Sequence, residues 1–417
     1  MLTVHPVFGA SEADKKKGSD LGHEKISGPT VDPDSNSSYG WISLIVFCVV
    51  GANNYSPYHD NRKNLRNPTG DFNLSHHRFM SSKSCNPKPP AAHTILTAED
   101  QALFHEAWRL SRKHHGQTLD MYLPGMIRYG NARGRYPAVS ITGSRCRLMC
   151  DHCKGLLLSP MVKAENPEEL VKRCSAFSKN GAHGVLLTGG SDLQGQLPWK
   201  HYLPAIERIS GETDLFLSAH TGFPDYRTCR RLKAAGVKQG LIDIMGDAET
   251  ATSIYHLNGL APVLEALAAI KESGLQLAPH IVAGLFHGKI KAEMNALEMI
   301  RSHTPHVLVI VALTPLKGTP MAGTSPPSPL EVARLVAQAR LLMPEVPISL
   351  GCERPRDKQG WEMERLAIQA GVNRMAVWSD QAVHKARRLG LTVRFQYTCC
   401  SLDFQKEYAS PEQSLDF

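Results

Sequence analysis

The sequence predicts an α/β protein built on a parallel sheet closed as a full (β/α)8 barrel of the TIM type. Eight short apolar runs supply the strands: Ala138–Thr142, Gly184–Thr188, Asp214–Ser218, Gly240–Ile244, Pro279–Ala283, His306–Ala312, Pro347–Leu350 and Arg374–Trp378. Amphipathic stretches separate most of them, and strand–helix alternation of this kind forms a parallel sheet. A doubly wound open sheet is the alternative, but no Gly-x-Gly-x-x-Gly follows the first strand.

Along the chain, residues 1–94 read as a low-complexity, disordered extension rich in Ser, Asn, Asp, Pro and Gly. An apolar island, Trp41–Ala52, interrupts it and reads as a lone strand, a membrane-surface contact or sequence upstream of a start at Met80. The barrel domain spans 95–405. It opens with a capped helix: Thr97 precedes Asp100 by three residues, and an amphipathic run continues to Lys113. Further helices are expected over Pro167–Asn180, Pro224–Ala235, Leu260–Ser273, Lys291–His303, Pro329–Leu342 and Trp361–Ala370. A last strand-like segment, Thr392–Tyr397, precedes a polar tail at 406–417.

Composition narrows the function. The 417 residues are 42% hydrophobic with 7% aromatics and a mean hydropathy of -0.25, which argues against a membrane protein. The island Trp41–Ala52 is shorter than the roughly 20 residues that a membrane-spanning helix requires, so no stable membrane insertion is expected. A net charge of +8 with scattered basic residues makes nucleic acid an unfavoured partner. Ten cysteines in a chain of this size, three of them within eight residues, suggest thiolates holding metal in a reducing cytoplasm.

Those three follow the first expected strand: Cys146-Arg-Leu-Met-Cys150-Asp-His-Cys153, spaced Cys-x3-Cys-x2-Cys. Three thiolates from one loop hold three irons of a 4Fe–4S cubane and leave the fourth open to a ligand. Structural zinc prefers four protein ligands; His152 is the available fourth, although adjacency to Cys153 places it poorly. Inert buried cysteines are the remaining reading.

With that spacing, residues 96–400 resemble the radical S-adenosylmethionine (SAM) superfamily. The resemblance implies that Cys146, Cys150 and Cys153 bind a catalytic 4Fe–4S cluster whose open iron chelates SAM. An electron donor would then drive cleavage of SAM to methionine and a 5′-deoxyadenosyl radical. Gly189-Gly190-Ser191-Asp192 resembles the superfamily's Gly-Gly-Glu segment, which receives the SAM ammonium, with Ser191 where Glu is common. The turn Ala283-Gly284-Leu285 resembles the adenine-supporting segment of biotin-synthase-like members. His152, His220 and Asp243 join the expected cofactor-binding set, and a satisfied core histidine is the alternative for His220 and His280.

Later segments extend the likeness to biotin synthase and its relatives: Lys317-Gly-Thr-Pro320, Gly351-Cys-Glu-Arg-Pro355 and Tyr397-Thr-Cys-Cys-Ser-Leu402. Together they look most like the second subunits of two-component lipoyl synthases. That likeness implies sulfur insertion into a protein-bound octanoyl chain, with an octanoylated carrier protein and a second radical SAM subunit as partners. An auxiliary iron–sulfur cluster would donate sulfur, with Cys352, Cys399 and Cys400 as its candidate ligands. The adjacent pair diverges in a regular strand and therefore requires a turning backbone. Two alternatives remain: a biotin-synthase-like enzyme that rearranges or methylates a small molecule, and a non-catalytic iron–sulfur assembly or regulatory subunit.

Overall fold

The computed structural model describes residues 94–129 and 132–403, so the apolar island and the C-terminal tail lie outside the described residues. Helix α1 (Ala98–His115) begins at the expected cap: Thr97 accepts from the Asp100 amide, and the Asp100 carboxylate reaches back to the Thr97 amide. Strand β1 (Thr118–Tyr122) and the hairpin β2 (Arg128–Tyr129) and β3 (Ala132–Arg133) follow, then β4 (Ala138–Ser140), β5 (Val162–Lys163) and α2 (Pro167–Lys179). A repeating series then runs β6 (Gly184–Thr188), α3 (Trp199–Glu212), β7 (Phe216–His220), α4 (Tyr226–Ala234) and β8 (Gln239–Asp243). It continues through α5 (Ala248–Ser253), α6 (Ala261–Glu272), β9 (Gln276–Ala283), α7 (Glu293–Arg301), β10 (Leu308–Ala312) and α8 (Pro329–Leu342). The last elements are β11 (Ile348–Leu350), α9 (Lys358–Gln369), β12 (Arg374–Ala376), α10 (Asp380–Arg388) and β13 (Thr392–Gln396).

Among the described residues, eleven strands form one curled sheet in the order β13-β1-β12-β11-β10-β9-β8-β7-β6-β4-β5. Every neighbouring pair in it is parallel. All eight expected strands are present, as β4 and β6 to β12, but the expected closure into a full (β/α)8 barrel is not. Closure would pair β4 with β12. Instead β1 occupies the free edge of β12, β13 pairs with the other edge of β1, and β5 extends the sheet beyond β4. Arg394 of β13 clamps Asp120 of β1 through two hydrogen bonds, at 2.6 and 2.8 Å, which fixes this edge. A backbone hydrogen bond from Arg135 N to Tyr397 O, at 2.7 Å, bridges the segment before β4 and the segment after β13.

Strand alternation divides the sheet's two faces. Leu119, Val139, Leu187, Leu217, Ile242 and Ile310 pack with the helices in one large apolar core. On the other face, Tyr122, Leu241, Ala278, Val309 and Ala376 form a second cluster that includes Cys400. The C-terminal strap, residues 398–403, therefore lies on the sheet's inner face and fills part of it. At the N-terminal end of the strands, wholly buried Arg340 gives its protons to the carbonyls of Pro344, Val346 and Gly371, to Asn373 Oδ1 and to His115 Nε2. A buried guanidinium is tolerated when its donors are satisfied in this way.

Candidate active site

The three clustered cysteines occupy the loop after β4, at the C-terminal end of the strands. The loop is irregular, with Met149 (φ 50°) and Lys154 (φ 45°) in the left-handed region, and it is held by neighbours on both sides. The amides of Arg147 and Leu148 donate to Ser191 O, and the Asp151 amide donates to Ile254 O. Lys154 Nζ ties Met149 O (2.7 Å) to Asp151 Oδ1 (2.9 Å). Strain persists where surrounding contacts enforce it, and these contacts enforce the turn that brings Cys150 and Cys153 together with His152, a group that does not include Cys146.

Donor atoms of Cys150, His152 and Cys153 all lie within 4.8 Å of one another, the one such His/Cys/carboxylate group of three or more among the described residues. His152 is thus better placed than its adjacency to Cys153 suggests. A hydrogen bond from Cys150 lowers the pKa of the Cys153 thiol, and that same bond, with burial, raises the pKa of Cys150. Cys146 opens the loop with its Sγ 3.9 Å from Ser191 O. This thiol-rich, partly accessible donor set suits an iron–sulfur cluster.

The β6 loop supports the cysteine loop. The Gly190 amide donates to Thr142 Oγ1 at 2.6 Å, and that hydroxyl donates to Arg145 O. A Cβ on Gly190 would meet Arg145 O at 2.0 Å, whereas one on Gly189 would meet nothing nearer than Thr142 Oγ1 at 3.1 Å. Ser191 contributes its carbonyl. The Asp192 carboxylate accepts from the amides of Gln194 and Gln196, both at 2.9 Å, and so shapes its own turn.

Beyond the cysteines, a polar chain crosses the strand ends. The His152 ring lies 5.0 Å from the Tyr255 ring. Tyr255 Oη donates to Asp243 Oδ2 at 2.8 Å, and Asp243 Oδ1 stands 3.5 Å from His220 Nε2. The His220 and His280 rings are 5.6 Å apart. Burial, the largest influence on Asp243, opposes ionisation, but His220, His280 and the Tyr255 hydroxyl together hold its carboxyl well below the usual range. His220 is raised despite its burial because Asp243 faces it, whereas burial and the nearby His220 push His280 down to about 4. His220 is the last residue of β7 and Asp243 the last of β8, so both project at the sheet's C-terminal rim. Tyr255 was not legible as a site residue because it follows α5 in a stretch without a motif.

Of the later cysteines, Cys400 packs in the inner-face cluster and Cys399 against Tyr136, Phe216 and Leu402, and the thiols of Cys352, Cys399 and Cys400 do not all lie within 4.8 Å of one another. Cys352 follows β11 and is exposed, Cys399 is half-buried and Cys400 is buried. The Cys399 thiol is lowered by a hydrogen bond from Cys400, with Ser401 and then His220 adding to the effect. The strap turns immediately after β13, and the adjacent thiols of Cys399 and Cys400 hydrogen-bond to each other instead of diverging as in a regular strand. Gln239, Tyr122 and Arg374 anchor it: Gln239 bonds Ser401, while Tyr122 Oη and Arg374 Nη1 both donate to Leu402 O. Arg354 of the Gly-Cys-x-Arg-Pro segment is wholly buried and pairs with Glu364 at 2.7 Å.

Gly284 (φ 75°) forms the turn after β9, and its amide donates to Glu293 Oε1 at 2.8 Å. A crevice beside this turn is lined by Met245, Ile281, Leu285, Phe286 and Lys291. Lys291 Nζ closes one side, 2.7 Å from Asp247 Oδ2 and 4.1 Å from the Phe286 ring centroid. No helix among the described residues is long and apolar enough to cross a membrane.

The family described as Biotin and Thiamin Synthesis associated domain matches residues 309–400, from β10 to the cysteine pair. Biotin synthase of Pelotomaculum thermopropionicum is 27% identical over 287 residues, covering 66% of this chain and 82% of that protein. Biotin synthase of Zymomonas mobilis is 26% identical over 214 residues, covering 51% of this chain and 63% of its own length. Among solved structures, methylornithine synthase (PylB) has a TM-score of 0.51 at 16% identity, covering 72% of this chain and 91% of that one. The FeFe-hydrogenase maturase HydG from Carboxydothermus hydrogenoformans has a TM-score of 0.51 at 16% identity, covering 72% and 73%. At such identities the structural likeness speaks for the fold. Together the matches make the chain similar in sequence to biotin synthases and similar in fold to these two structures.

Proposed function

We propose that this chain is a radical SAM enzyme that inserts sulfur into an octanoyl chain carried on a protein, in the manner of lipoyl synthesis. The observation that carries the reading is the placement of the strap bearing Cys399 and Cys400 against the inner face, below a rim where a polar chain runs from His152 to His220. Two thiol sets thus bracket one polar rim.

Cys146, Cys150 and Cys153 would hold the SAM-binding 4Fe–4S cluster. When bound, that cluster supplies the electron that cleaves SAM, giving a radical able to take hydrogen from an unactivated carbon. The β6 loop from Gly189 to Asp192 would face the methionyl end of SAM, and the turn at Gly284 would support its adenine. Asp243, oriented by Tyr255, fixes the His220 ring at the rim. The strap closes the inner face beneath them and keeps bulk water from the reacting atoms. Cys352, Cys399 and Cys400 would hold the auxiliary cluster that supplies sulfur. An octanoylated carrier protein, a second radical SAM subunit and an electron donor are the partners this reading requires.

The test is anaerobic reconstitution with iron and sulfide counting, followed by incubation with SAM and an octanoyl peptide. Replacing Cys146, Cys150 or Cys153 by Ala should abolish 5′-deoxyadenosine formation. The triple Ala variant of Cys352, Cys399 and Cys400 should still cleave SAM and yield no thiolated peptide. The relatives named biotin synthase favour a second reading, a small-molecule substrate, and turnover of such a substrate without thiolation of the peptide would select it. SAM cleavage also excludes the reading as a non-catalytic assembly subunit.

A further inference from the structure

We infer that Gln239 is a positioning residue for the sulfur-bearing strap, an inference that rests on the auxiliary-cluster reading above. Gln239 opens β8 on the sheet's inner face and is 1% exposed. Its Nε2 donates to Ser401 O at 2.9 Å, and its Oε1 accepts from Ser401 Oγ at 2.7 Å. Ser401 Oγ in turn lies 3.2 Å from Cys399 Sγ. One amide thus fixes both the backbone and the hydroxyl of the residue two positions beyond Cys399.

A hydroxyl carries a single proton. Ser401 Oγ can give that proton to Gln239 Oε1 at 2.7 Å or to Cys399 Sγ at 3.2 Å, so Gln239 competes with the thiol for it. Gln239 therefore influences which face of the hydroxyl the sulfur meets. Stability alone does not call for this arrangement, because replacing both members of a buried hydrogen-bonded pair by apolar groups is often nearly neutral. Nor does the strap hang on this contact alone: Tyr122 and Arg374 hold Leu402 O at 3.2 and 2.9 Å, and Leu402 packs with Tyr136 and Phe216. Loss of Gln239 should accordingly misplace Cys399 locally and leave the strap seated.

The experiment compares full-length wild type, Gln239→Ala and the triple Ala variant of Cys352, Cys399 and Cys400, each reconstituted anaerobically. Iron per chain under chelator challenge and the electron paramagnetic resonance spectrum are read alongside SAM cleavage and the melting temperature. Gln239→Ala should keep SAM cleavage and melting close to wild type. Its second-site iron should yield to chelator roughly 10- to 100-fold more readily, the usual effect of losing a residue that orients a ligand. Second-site iron as resistant and spectroscopically unchanged as in wild type would overturn the inference, provided the triple variant has lost that iron. If the triple variant keeps it, the auxiliary-cluster reading itself falls. Should Gln239→Ala not fold, Ser401→Ala probes the same contact from the strap and should show the same chelator sensitivity.

Discussion

Gly190 lies directly beneath Cys146: a Cβ on the glycine would stand 2.5 Å from the cysteine Cα and 2.0 Å from Arg145 O. Both neighbours are backbone, which cannot swing aside. The glycine's first duty is therefore to let the cysteine loop approach β6, a close-approach role open only to a residue without a side chain. A side chain at Gly190 meets the cysteine loop before it meets any bound SAM. Gly190→Ala should reduce iron at the first site together with SAM binding. Gly189→Ala, whose nearest neighbour is at 3.1 Å, should retain most of the iron. Iron content measured on the two variants separates them, and equal retention would contradict this packing role.

The Tyr255–Asp243 hydrogen bond, 2.8 Å long, predicts a specific loss. Burial, then the Asp243 charge, keeps the Tyr255 hydroxyl protonated and available as a donor. Tyr255→Phe leaves a half-buried carboxylate one donor short, at a cost of about 1 kcal/mol. Chemical denaturation should show that destabilisation while first-site iron is unchanged, since the phenyl ring still packs against His152.

His115 predicts the acid side of the stability profile. Burial, then the Arg340 guanidinium, pushes its pKa down to about 3, and neutral Nε2 accepts from Arg340 Nη1 at 2.7 Å. The unfolded chain, with an ordinary imidazole near 6.5, binds the proton first as pH falls. The stability that this residue protects is complete above about 6.5 and is lost progressively toward 3, by at most about 1.4 kcal/mol per pH unit. His115→Gln keeps an acceptor without the titration, so its denaturation midpoint should fall less between pH 6.5 and pH 5 than that of the wild type. Parallel profiles would exclude the contribution.

Strand positions were legible because buried parallel strands read as short apolar runs, and the cysteine spacing was legible because it is local. Edge pairing was not. Thr118–Tyr122 carries Asp120 at its centre and reads as a polar interruption until Arg394 arrives from β13 to pair it. Helix α3 was hidden by Pro204 within it, yet Trp199, Tyr202, Ile206 and Ile209 bury one continuous face. The seating of Cys400 among Tyr122, Leu241 and Val309 depends on where the chain turns after β13, a tertiary fact without a local signature. Gln239 was missed for the same reason, since its partner lies 162 residues away.

Residues 1–93 are proposed to be dispensable for the barrel, with the boundary set by Thr94, whose amide donates to Glu362 Oε1 at 3.0 Å. A chain beginning at residue 94 should reconstitute and cleave SAM like the full chain. One beginning at Ala98 loses the Thr97 cap as well and should be less stable by about 1–2 kcal/mol. Denaturation curves of the three chains check this, and a cluster-free chain from residue 94 would show that the earlier segment supports the barrel.

The buried Arg354–Glu364 pair is the strongest candidate for long-range support of Cys352. Arg354 is wholly buried and Glu364 nearly so. The guanidinium also donates to Gly351 O, Ala376 O and Val377 O, joining the ends of β11 and β12. Glu364 returns the tie by accepting from Ser379 N (3.0 Å) and Ser379 Oγ (2.6 Å), at the cap of α10. Val377 sits at φ 52°, a conformation that a β-branched residue holds only when its surroundings fix it. Removing one partner leaves the other charge buried and unpaired, which costs about 3–5 kcal/mol. Glu364→Gln should therefore lower the denaturation midpoint sharply. Because Gly351 precedes Cys352, it should also loosen second-site iron, while the Cys146–Cys153 loop, on the far side of the sheet order, keeps its own. Arg354→Lys retains the charge but cannot reach three carbonyls and a carboxylate at once, so it should resemble Glu364→Gln. Wild-type stability in the lysine variant would show that charge alone, without the planar fork, suffices to hold β11 and β12 together.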